Sequence, residues 1–274
     1  MHVVHANGAQ IPALGFGTWE LRGMTARAMV EMALATGYRH IDTAQMYQNE
    51  REVGMGLRAS GLPRRSYFLT TKIWPDFFRP EDLIREAKAA IDRLETHVDL
   101  LLLHWPSKTI PLAETIPALD SLVDQKITRF TGVSNFTTAM LDEAVALARH
   151  KLVCNQVEYH PFLNQDRVLA ACRRHGMALV AYCPLARGRV FKDPLLQRIA
   201  ARHGKTPGQA ALRWLIQQAG VVAIPRSSSA AHAKANVELD DFALDEDEMA
   251  AIKGLADPAG RICDYDFSPA WDPA

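Results

Sequence analysis

The amino-acid sequence predicts an α/β fold carried by a parallel sheet, and three observations lead there. Short apolar runs, about eight of them, alternate with longer stretches of helical periodicity. Several runs are apolar almost throughout, as in Val98-Asp99-Leu100-Leu101-Leu102-Leu103, which is the habit of strands covered on both faces. The unusual polar residues fall at the C-terminal ends of different runs. Alternation alone admits either a closed (β/α)8 barrel or an open doubly wound sheet. An open sheet would scatter those ends along an edge. A barrel gathers them on the one face where barrel enzymes hold their chemistry, so convergence favours the barrel.

The chain opens with a hairpin. Val3-Val4 and Ile11 flank Asn7-Gly8, a pair suited to a type I′ turn because both positions tolerate positive φ. Strands are expected at Leu14–Thr18, Tyr38–Asp42, Tyr67–Ile73, Val98–Trp105, Phe130–Ser134, Val153–Tyr159, Ala178–Cys183 and Val221–Ile224. Helices are expected between them, beginning with Met24–Ala35 and then Asn49–Ala59 with Asn49 as its N-cap. Pro80–Leu94 follows, where proline opens the helix and Leu83, Ala87, Ala90, Ile91 and Leu94 share a face. Leu112–Asp124, Thr137–Arg149, Asp166–His175 and Thr206–Gln218 continue the series, Thr206-Pro207 serving as cap and first turn. No linker rich in Pro, Gly or Ser divides the chain, so residues 1–274 are expected to form one barrel domain. Its tail, Asp257 to Ala274, is rich in Pro and Asp and is expected to be irregular.

Charge and cysteine usage narrow the functional classes. Lys+Arg and Asp+Glu are both 31, so the net charge is zero, and neither a nucleic-acid nor a membrane-surface partner is expected. Cys154, Cys172, Cys183 and Cys263 include no C-x-x-C pair, so no metal site is expected, and their scatter suits a reducing compartment. Met1 to Pro12 contains no Lys or Arg and no apolar run, unlike a signal peptide. The longest purely aliphatic run, Leu100 to Leu103, falls far short of the ~20 residues that span a bilayer. A cytoplasmic protein, monomeric and acting on a small molecule, is the expectation.

Asp42 ends the second expected strand, Lys72 the third, His104 the fourth and Ser134-Asn135 the fifth. Gln156 and Glu158 lie in the sixth, Tyr182 lies near the end of the seventh, and Arg226-Ser227-Ser228 follow the eighth. Each alone has an ordinary use. Asp caps turns, a loop Tyr such as Tyr47 sits on a rim, a strand-end Lys snorkels, and a core His finds a hydrogen bond. Only their convergence suggests a site.

A family resemblance runs through the same places. Gly15-Phe16-Gly17-Thr18-Trp19 and Gly37-Tyr38-Arg39-His40-Ile41-Asp42-Thr43-Ala44 with Tyr47 resemble the aldo-keto reductase superfamily. Thr71-Lys72-Ile73-Trp74, Leu103-His104-Trp105-Pro106, Gly132-Val133-Ser134-Asn135-Phe136, Asn155-Gln156 and Ile224-Pro225-Arg226-Ser227 continue the match in order, over essentially the whole chain. The short loops and the ending Arg261…Pro269-Ala270-Trp271-Asp272 look most like the bacterial 2,5-diketo-D-gluconate reductase group, its B-type members above all.

The resemblance implies a (β/α)8 barrel, an extended NADPH and four catalytic residues, Asp42, Tyr47, Lys72 and His104. It further implies that Ser134, Asn135 and Gln156 hold the nicotinamide carboxamide and that Tyr182 stacks on its ring. Gly17, Thr18 and Asp42 would touch the ribose. Pro184, Leu185 and Ile224 would line the cofactor's path. Arg226, Ser227 and Ser228 would meet the 2′-phosphate, with Asn236 facing the adenine. His232 stands where the family has a second Arg, which leaves NADH as a weaker alternative to NADPH. Gly15-Phe16-Gly17 is followed by Glu20 rather than a third glycine, so the Rossmann fingerprint is not met.

Carbonyl reduction needs a hydride on carbon, which the cofactor supplies, and a proton on oxygen. A tyrosine at pKa ~10 is a poor acid at neutral pH. An ammonium about 4 Å away, at an effective dielectric of ~20, is worth about 4 kcal/mol, or roughly three pKa units before desolvation subtracts. Lys72 is therefore expected to lower Tyr47, Asp42 to hold Lys72, and His104 to orient the carbonyl. Trp19, Trp74 and Trp105 are expected to line the pocket. With short loops and a short tail, an open site for α-dicarbonyls such as methylglyoxal, keto-sugar acids or small aromatic aldehydes is expected. Arg261 is left between a substrate carboxylate and the surface. Two rivals stay in view: a Schiff-base lyase using Lys72, and a cofactor-binding sensor with little turnover.

Overall fold

The computed structural model describes residues 2–273; Met1 and Ala274, the outermost residues of the two expected end segments, lie outside them. Strands β1 (Val3–Ala6) and β2 (Ala9–Pro12) pair antiparallel, with Val4 opposite Ile11 and both buried. Asn7 and Gly8 both take positive φ (46° and 89°), as a type I′ turn requires. Asn7 has a second use. Its amide donates to Leu152 O (2.7 Å) and His175 O (2.9 Å), which ties the hairpin across the N-terminal end of the barrel. A side chain at Gly176, already at φ 67°, would lie 2.7 Å from the Asn7 carboxamide oxygen, so glycine is required there.

Eight parallel strands follow: β3 (Phe16–Gly17), β4 (His40–Asp42), β5 (Phe68–Ile73), β6 (Val98–Leu103), β7 (Thr128–Ser134), β8 (Cys154–Glu158), β9 (Ala178–Tyr182) and β10 (Val221–Ala223). Each pairs with the next in chain order. Parallel bridges between Leu14 and Ala223 and between Gly17 and Arg226 join the last strand to the first. Bonds from Gly15 N to Ala223 O (2.8 Å) and from Ala223 N to Ala13 O (2.8 Å) close the seam, and the sheet becomes a (β/α)8 barrel.

All eight expected strands exist, mostly shorter than the apolar runs suggest. Leu14–Thr18 shrinks to a two-residue strand, because Leu14 bridges to β10 and Thr18 turns out into the loop above it. Trp105 and Cys183, expected inside strands, instead lie in the loops above β6 and β9, and only β7 starts earlier than expected, at Thr128.

The helices α1 (Gly23–Ala35), α2 (Glu50–Ala59), α3 (Pro80–Leu94), α4 (Leu112–Asp124), α5 (Thr138–Leu147) and α6 (Asp166–Arg174) wrap the outside. They are followed by α7 (Pro194–Arg202), α8 (Pro207–Ile216), α9 (Ala230–Val237) and α10 (Glu246–Lys253). Thr206 and Gln209 form a reciprocal capping box at α8. Asn49 does not cap α2: its side chain is committed to the loops instead. Helix α5 stops short of Arg149, whose N–H, with that of His150, binds the Asp120 carboxylate (2.8 and 3.0 Å). Helices α7, α9 and α10 were not expected, although Asp193-Pro194 and the Asp245/Glu248 capping box mark two of their starts. No helix among the described residues is long and apolar enough to cross a membrane.

His40, on β4, is buried with its Nε2 3.1 Å from Thr70 Oγ1. A Cβ at Gly15 would lie 2.7 Å from this ring, so the barrel admits the imidazole only because residue 15 has no side chain. Burial pushes the His40 pKa from 6.5 down to about 4. Its contribution to stability is complete above 6.5 and is lost as pH falls toward 4, where only the unfolded state takes up the proton, at about 1.4 kcal/mol per pH unit. Thermal melts are expected to show a Tm that falls from pH 7 to pH 5, with a shallower fall in His40→Gln. Equal slopes in the two proteins would refute this.

Candidate active site

Asp42 ends β4 and Lys72 lies in β5, with Lys72 fully buried and Asp42 at 1% exposure. All the ammonium protons have partners: Asp42 Oδ1 at 2.5 Å, Thr43 O at 2.9 Å and Tyr47 Oη at 3.2 Å. The other Asp42 oxygen accepts from Gln156 Nε2 (2.8 Å), and Thr18 Oγ1 donates to the Asp42 carbonyl (3.0 Å). A charge in the barrel interior persists only when paired and hydrogen-bonded, and this pair meets both conditions. Burial works against the Lys72 ammonium, but Asp42 and Tyr47 outweigh it and hold its pKa above the ordinary value.

Tyr47 sits on a 3-10 turn, Gln45–Tyr47, just beyond β4. Arg22 and Gln45, which the sequence reading did not single out, and Asn49, expected only as a helix cap, hold this turn and the loops beside it. Arg22 Nη1 donates to the Tyr47 carbonyl (2.7 Å). Gln45 donates to Glu86 Oε2 (2.6 Å) and accepts from the Trp74 N–H (3.1 Å). Asn49, 1% exposed, accepts from Thr43 Oγ1 (2.9 Å) and donates to Thr18 O and Leu21 O (2.9 and 3.0 Å), joining the loop after β3 to the loop after β4.

The expected lowering of Tyr47 by Lys72 is corrected. Burial raises its pKa more than the ammonium lowers it, and the phenol stays above its ordinary value. The hydroxyl is thus a held proton with a cation 3.2 Å away, placed to stabilise the anion that its loss would leave.

His104 leaves β6 at its upper end, 6% exposed. Burial and the nearby Lys72 charge push its pKa well below 6.5, so the ring is neutral at pH 7. Its edge meets Tyr47 (centroids 5.6 Å) and Trp74 (5.4 Å), and its Nδ1 is buried without a hydrogen-bond partner.

Aromatic residues build the surrounding wall. Trp19, at 39% exposure, meets Tyr47 edge-on (4.8 Å), and half-buried Trp74 meets Phe267 (5.3 Å). Trp105 is only 6% exposed, boxed in by Tyr265, Phe267 and Trp271. The short tail therefore folds back over the barrel mouth rather than leaving it open. Buried Glu158 fastens it, accepting from Ile262 N (2.7 Å), Cys263 N (2.8 Å) and His160 Nε2 (2.8 Å). Asp272 fastens it again through the Thr138 N–H and hydroxyl (2.9 and 2.7 Å). Arg261 lies flat over Trp271, 3.7 Å from the ring centre, and lines a flank cavity with Asn164 and Asp272.

The residues expected to hold a cofactor fall in two groups. Tyr182 Oη donates to Asn135 Oδ1 (2.8 Å), Asn135 Nδ2 donates to Ser134 Oγ (3.1 Å) and to His104 O (3.0 Å), and Ser134 donates to Gln156 O (2.8 Å). This chain of amides and hydroxyls abuts the Lys72 cluster through Gln156. The second group lies across the barrel seam. Gly17 packs so closely there that a Cβ would be 3.1 Å from Ile224 O. Arg226 is exposed, its Nε on Trp19 O (3.0 Å). Ser227 and Ser228 lead into α9, where Ser229 caps the His232 N–H (3.4 Å) and Asn236 is buried a turn further on. Pro184 and Leu185 stand on the loop above β9. An exposed guanidinium beside the amino end of a helix suits a phosphate, and an amide–hydroxyl chain suits a carboxamide, so the residues present fit a nicotinamide dinucleotide.

Comparison with known proteins bears on this arrangement. The model of the aldo/keto reductase family matches residues 13–257. A crystal structure provisionally named a 2,5-diketo-D-gluconic acid reductase B superposes with a TM-score of 0.98 at 47% identity, covering 99% of this chain and 98% of its own. A Bombyx mori aldo-keto reductase in complex with NADP superposes with a TM-score of 0.87 at 31% identity, covering 93% and 92%. Methylglyoxal reductase DkgB of Escherichia coli O157:H7 is 36% identical over 266 residues, 96% of this chain and 99% of its own.

Removing one member of the Asp42–Lys72 pair leaves the other charge buried alone. Asp42→Asn is expected to destabilise the fold by about 3 kcal/mol or more, and Asp42→Asn with Lys72→Met to regain most of that loss, as read by urea unfolding. Additive losses in the double variant would contradict the pairing.

Proposed function

The chain belongs to the aldo/keto reductase family, and on that footing we propose that it reduces small aldehydes and ketones to alcohols with NADPH, Tyr47 delivering the proton. The observation that carries the reading is the Lys72 ammonium, 3.2 Å from Tyr47 Oη and 2.5 Å from Asp42 Oδ1 in a buried strand end. When bound, NADPH supplies the hydride to the carbonyl carbon. Ser134, Asn135 and Gln156 would hold its carboxamide, Tyr182 would cover the ring, and Arg226 with Ser227 would take the 2′-phosphate.

The rest belongs to the protein's own groups. His104, neutral, donates a hydrogen bond to the carbonyl oxygen and sets its direction toward Tyr47. Tyr47 passes its proton to that oxygen as charge develops. Lys72 stabilises the phenolate, and Asp42 keeps Lys72 charged and in line. Trp19, Trp74 and Phe267 exclude water around the carbonyl, and Trp105 supports Phe267 from behind. The substrates favoured are α-dicarbonyls such as methylglyoxal and keto-sugar acids such as 2,5-diketo-D-gluconate, the compounds that name its relatives.

No observation favours the Schiff-base alternative. Lys72 is fully buried, its protons are all engaged, and its pKa is raised, whereas a nucleophilic lysine must be neutral.

Tyr47→Phe is expected to lower kcat for NADPH-linked methylglyoxal reduction by about 10²–10⁴-fold, while the NADPH Kd from fluorescence titration stays within about twofold. Near-normal turnover would remove Tyr47 from the mechanism. Arg226→Ala is expected to raise KM for NADPH about tenfold or more and to leave NADH kinetics nearly unchanged. An equal effect on both cofactors would place the phosphate elsewhere.

A further inference from the structure

Tyr47 stands on a turn of three residues, Gln45–Tyr47, which is too short to hold itself. The backbone bonds at the turn are local, from Tyr47 N to Ala44 O (3.0 Å) and from Gln48 N to Gln45 O (3.1 Å). A carbonyl that takes a proton from Tyr47 while accepting a hydrogen bond from His104 needs the two groups at a fixed spacing. They rise from different places, Tyr47 beyond β4 and His104 beyond β6. Something must tie the turn to the upper end of β6.

A bonded path of that kind runs through Gln45. Half-buried, it donates through Nε2 to Glu86 Oε2 (2.6 Å) and accepts at Oε1 from the Trp74 N–H (3.1 Å). An ionised carboxylate only accepts and a backbone N–H only donates, so a single orientation of the carboxamide satisfies both. Glu86 lies on α3, whose Leu83, Ala87 and Ala90 are fully buried, so the acceptor is on an anchored helix. Trp74 directly follows Ile73, and the Ile73 carbonyl accepts from His104 N (3.0 Å). The side chains repeat the connection: Trp74 stands edge-on to His104 at 90°, with centroids 5.4 Å apart. The path from the turn to His104 is thus Gln45, Trp74, Ile73, His104, braced from outside by Glu86. The other hold on the turn, Arg22 on the Tyr47 carbonyl, is made by an exposed side chain, where water competes for the bond.

We propose that Gln45 is a positioning residue for carbonyl reduction: its carboxamide, shared between Glu86 and the Trp74 N–H, sets the spacing of Tyr47 from His104. The proposal rests on the reading of Tyr47 as the proton donor and adds a second requirement to it. Gln45 acts through the turn rather than on the carbonyl. Its loss leaves Tyr47, Lys72, Asp42 and His104 chemically intact and misplaces one of them. A shift of about 1 Å in such a group costs on the order of 10²-fold in rate.

Exchanging the two side chains tests this. Gln45→Glu sets a second carboxylate against Glu86, so repulsion replaces the bond while the Trp74 N–H keeps an acceptor. Glu86→Gln in the same chain returns a donor from the opposite side. Gln45→Glu is expected to lower kcat for NADPH-linked methylglyoxal reduction by about 10–100-fold, with the NADPH Kd within about twofold and a larger solvent deuterium isotope effect on kcat. Gln45→Met, which removes both bonds without adding charge, is expected to do the same. The paired variant, Gln45→Glu with Glu86→Gln, is expected to return kcat to within about threefold of wild type and the isotope effect with it. A purely structural role would lower the melting temperature and leave kcat and the isotope effect of the folded protein unchanged. The proposal is overturned if both single variants at Gln45 keep wild-type kcat, if the paired variant stays as slow as Gln45→Glu, or if the NADPH Kd rises in step with the loss of kcat. Tyr47→Phe, assayed beside them, separates the two possible failures. Normal turnover there removes the proton donor and the positioning role together. A slow Tyr47→Phe beside a fast Gln45→Glu keeps the proton donor and removes the positioning role alone.

Discussion

The ion pair between Lys72 and Asp42 is the constraint around which the rest is arranged. An ammonium with no solvent contact is tolerable only if its charge is matched and its protons are used. That demand recruits neighbours outward: Thr43 and Tyr47 on the lysine side, Gln156 and Thr18 on the aspartate side. Four different strand ends are thereby committed to one polar knot. The same low-polarity surroundings that make the pair costly keep His104 neutral and hold the proton on Tyr47. The strained economy of the site and its reactivity have a single origin.

The barrel and the four polar residues were legible because their signals are local or positional. Runs such as Val98–Leu103 announce doubly covered strands, and Asp42, Lys72 and His104 stand out because each interrupts apolar sequence at a strand end. The Thr206–Gln209 box is four residues of plain grammar. The sign of the Tyr47 shift was not legible, because it depends on how deeply a loop residue is buried, and burial is a property of the assembled fold. Asn49 shows the limit well. Its sequence neighbourhood reads as a cap, yet its carboxamide spans two loops brought together only when β3 and β4 pair. Glu158 is a further case: its partners, Ile262 and Cys263, lie a hundred residues downstream, and no periodicity or motif connects them.

The tail gives the site its walls. Asp42, Lys72 and His104 sit on strands or at their ends and Tyr47 on a clamped turn, while Tyr265 and Phe267 arrive from a segment with no helix or strand. The polar cluster and its aromatic wall therefore come from different parts of the fold. Edge-to-face contacts among Trp74, Trp105 and Phe267 hold the wall by shape, without charge, and leave the interior field to Lys72 and Asp42.

The seam that closes the barrel joins residues 14 and 17 to residues 223 and 226. During synthesis on the ribosome, Asp42, Tyr47, Lys72 and His104 all emerge well before the strand that completes the ring. For most of its synthesis the chain holds these four side chains with no closed barrel around them. Strand β3, two residues long, waits unpaired on one side until β10 arrives, so a chain cut short before residue 223 holds the polar strand ends without a closed barrel.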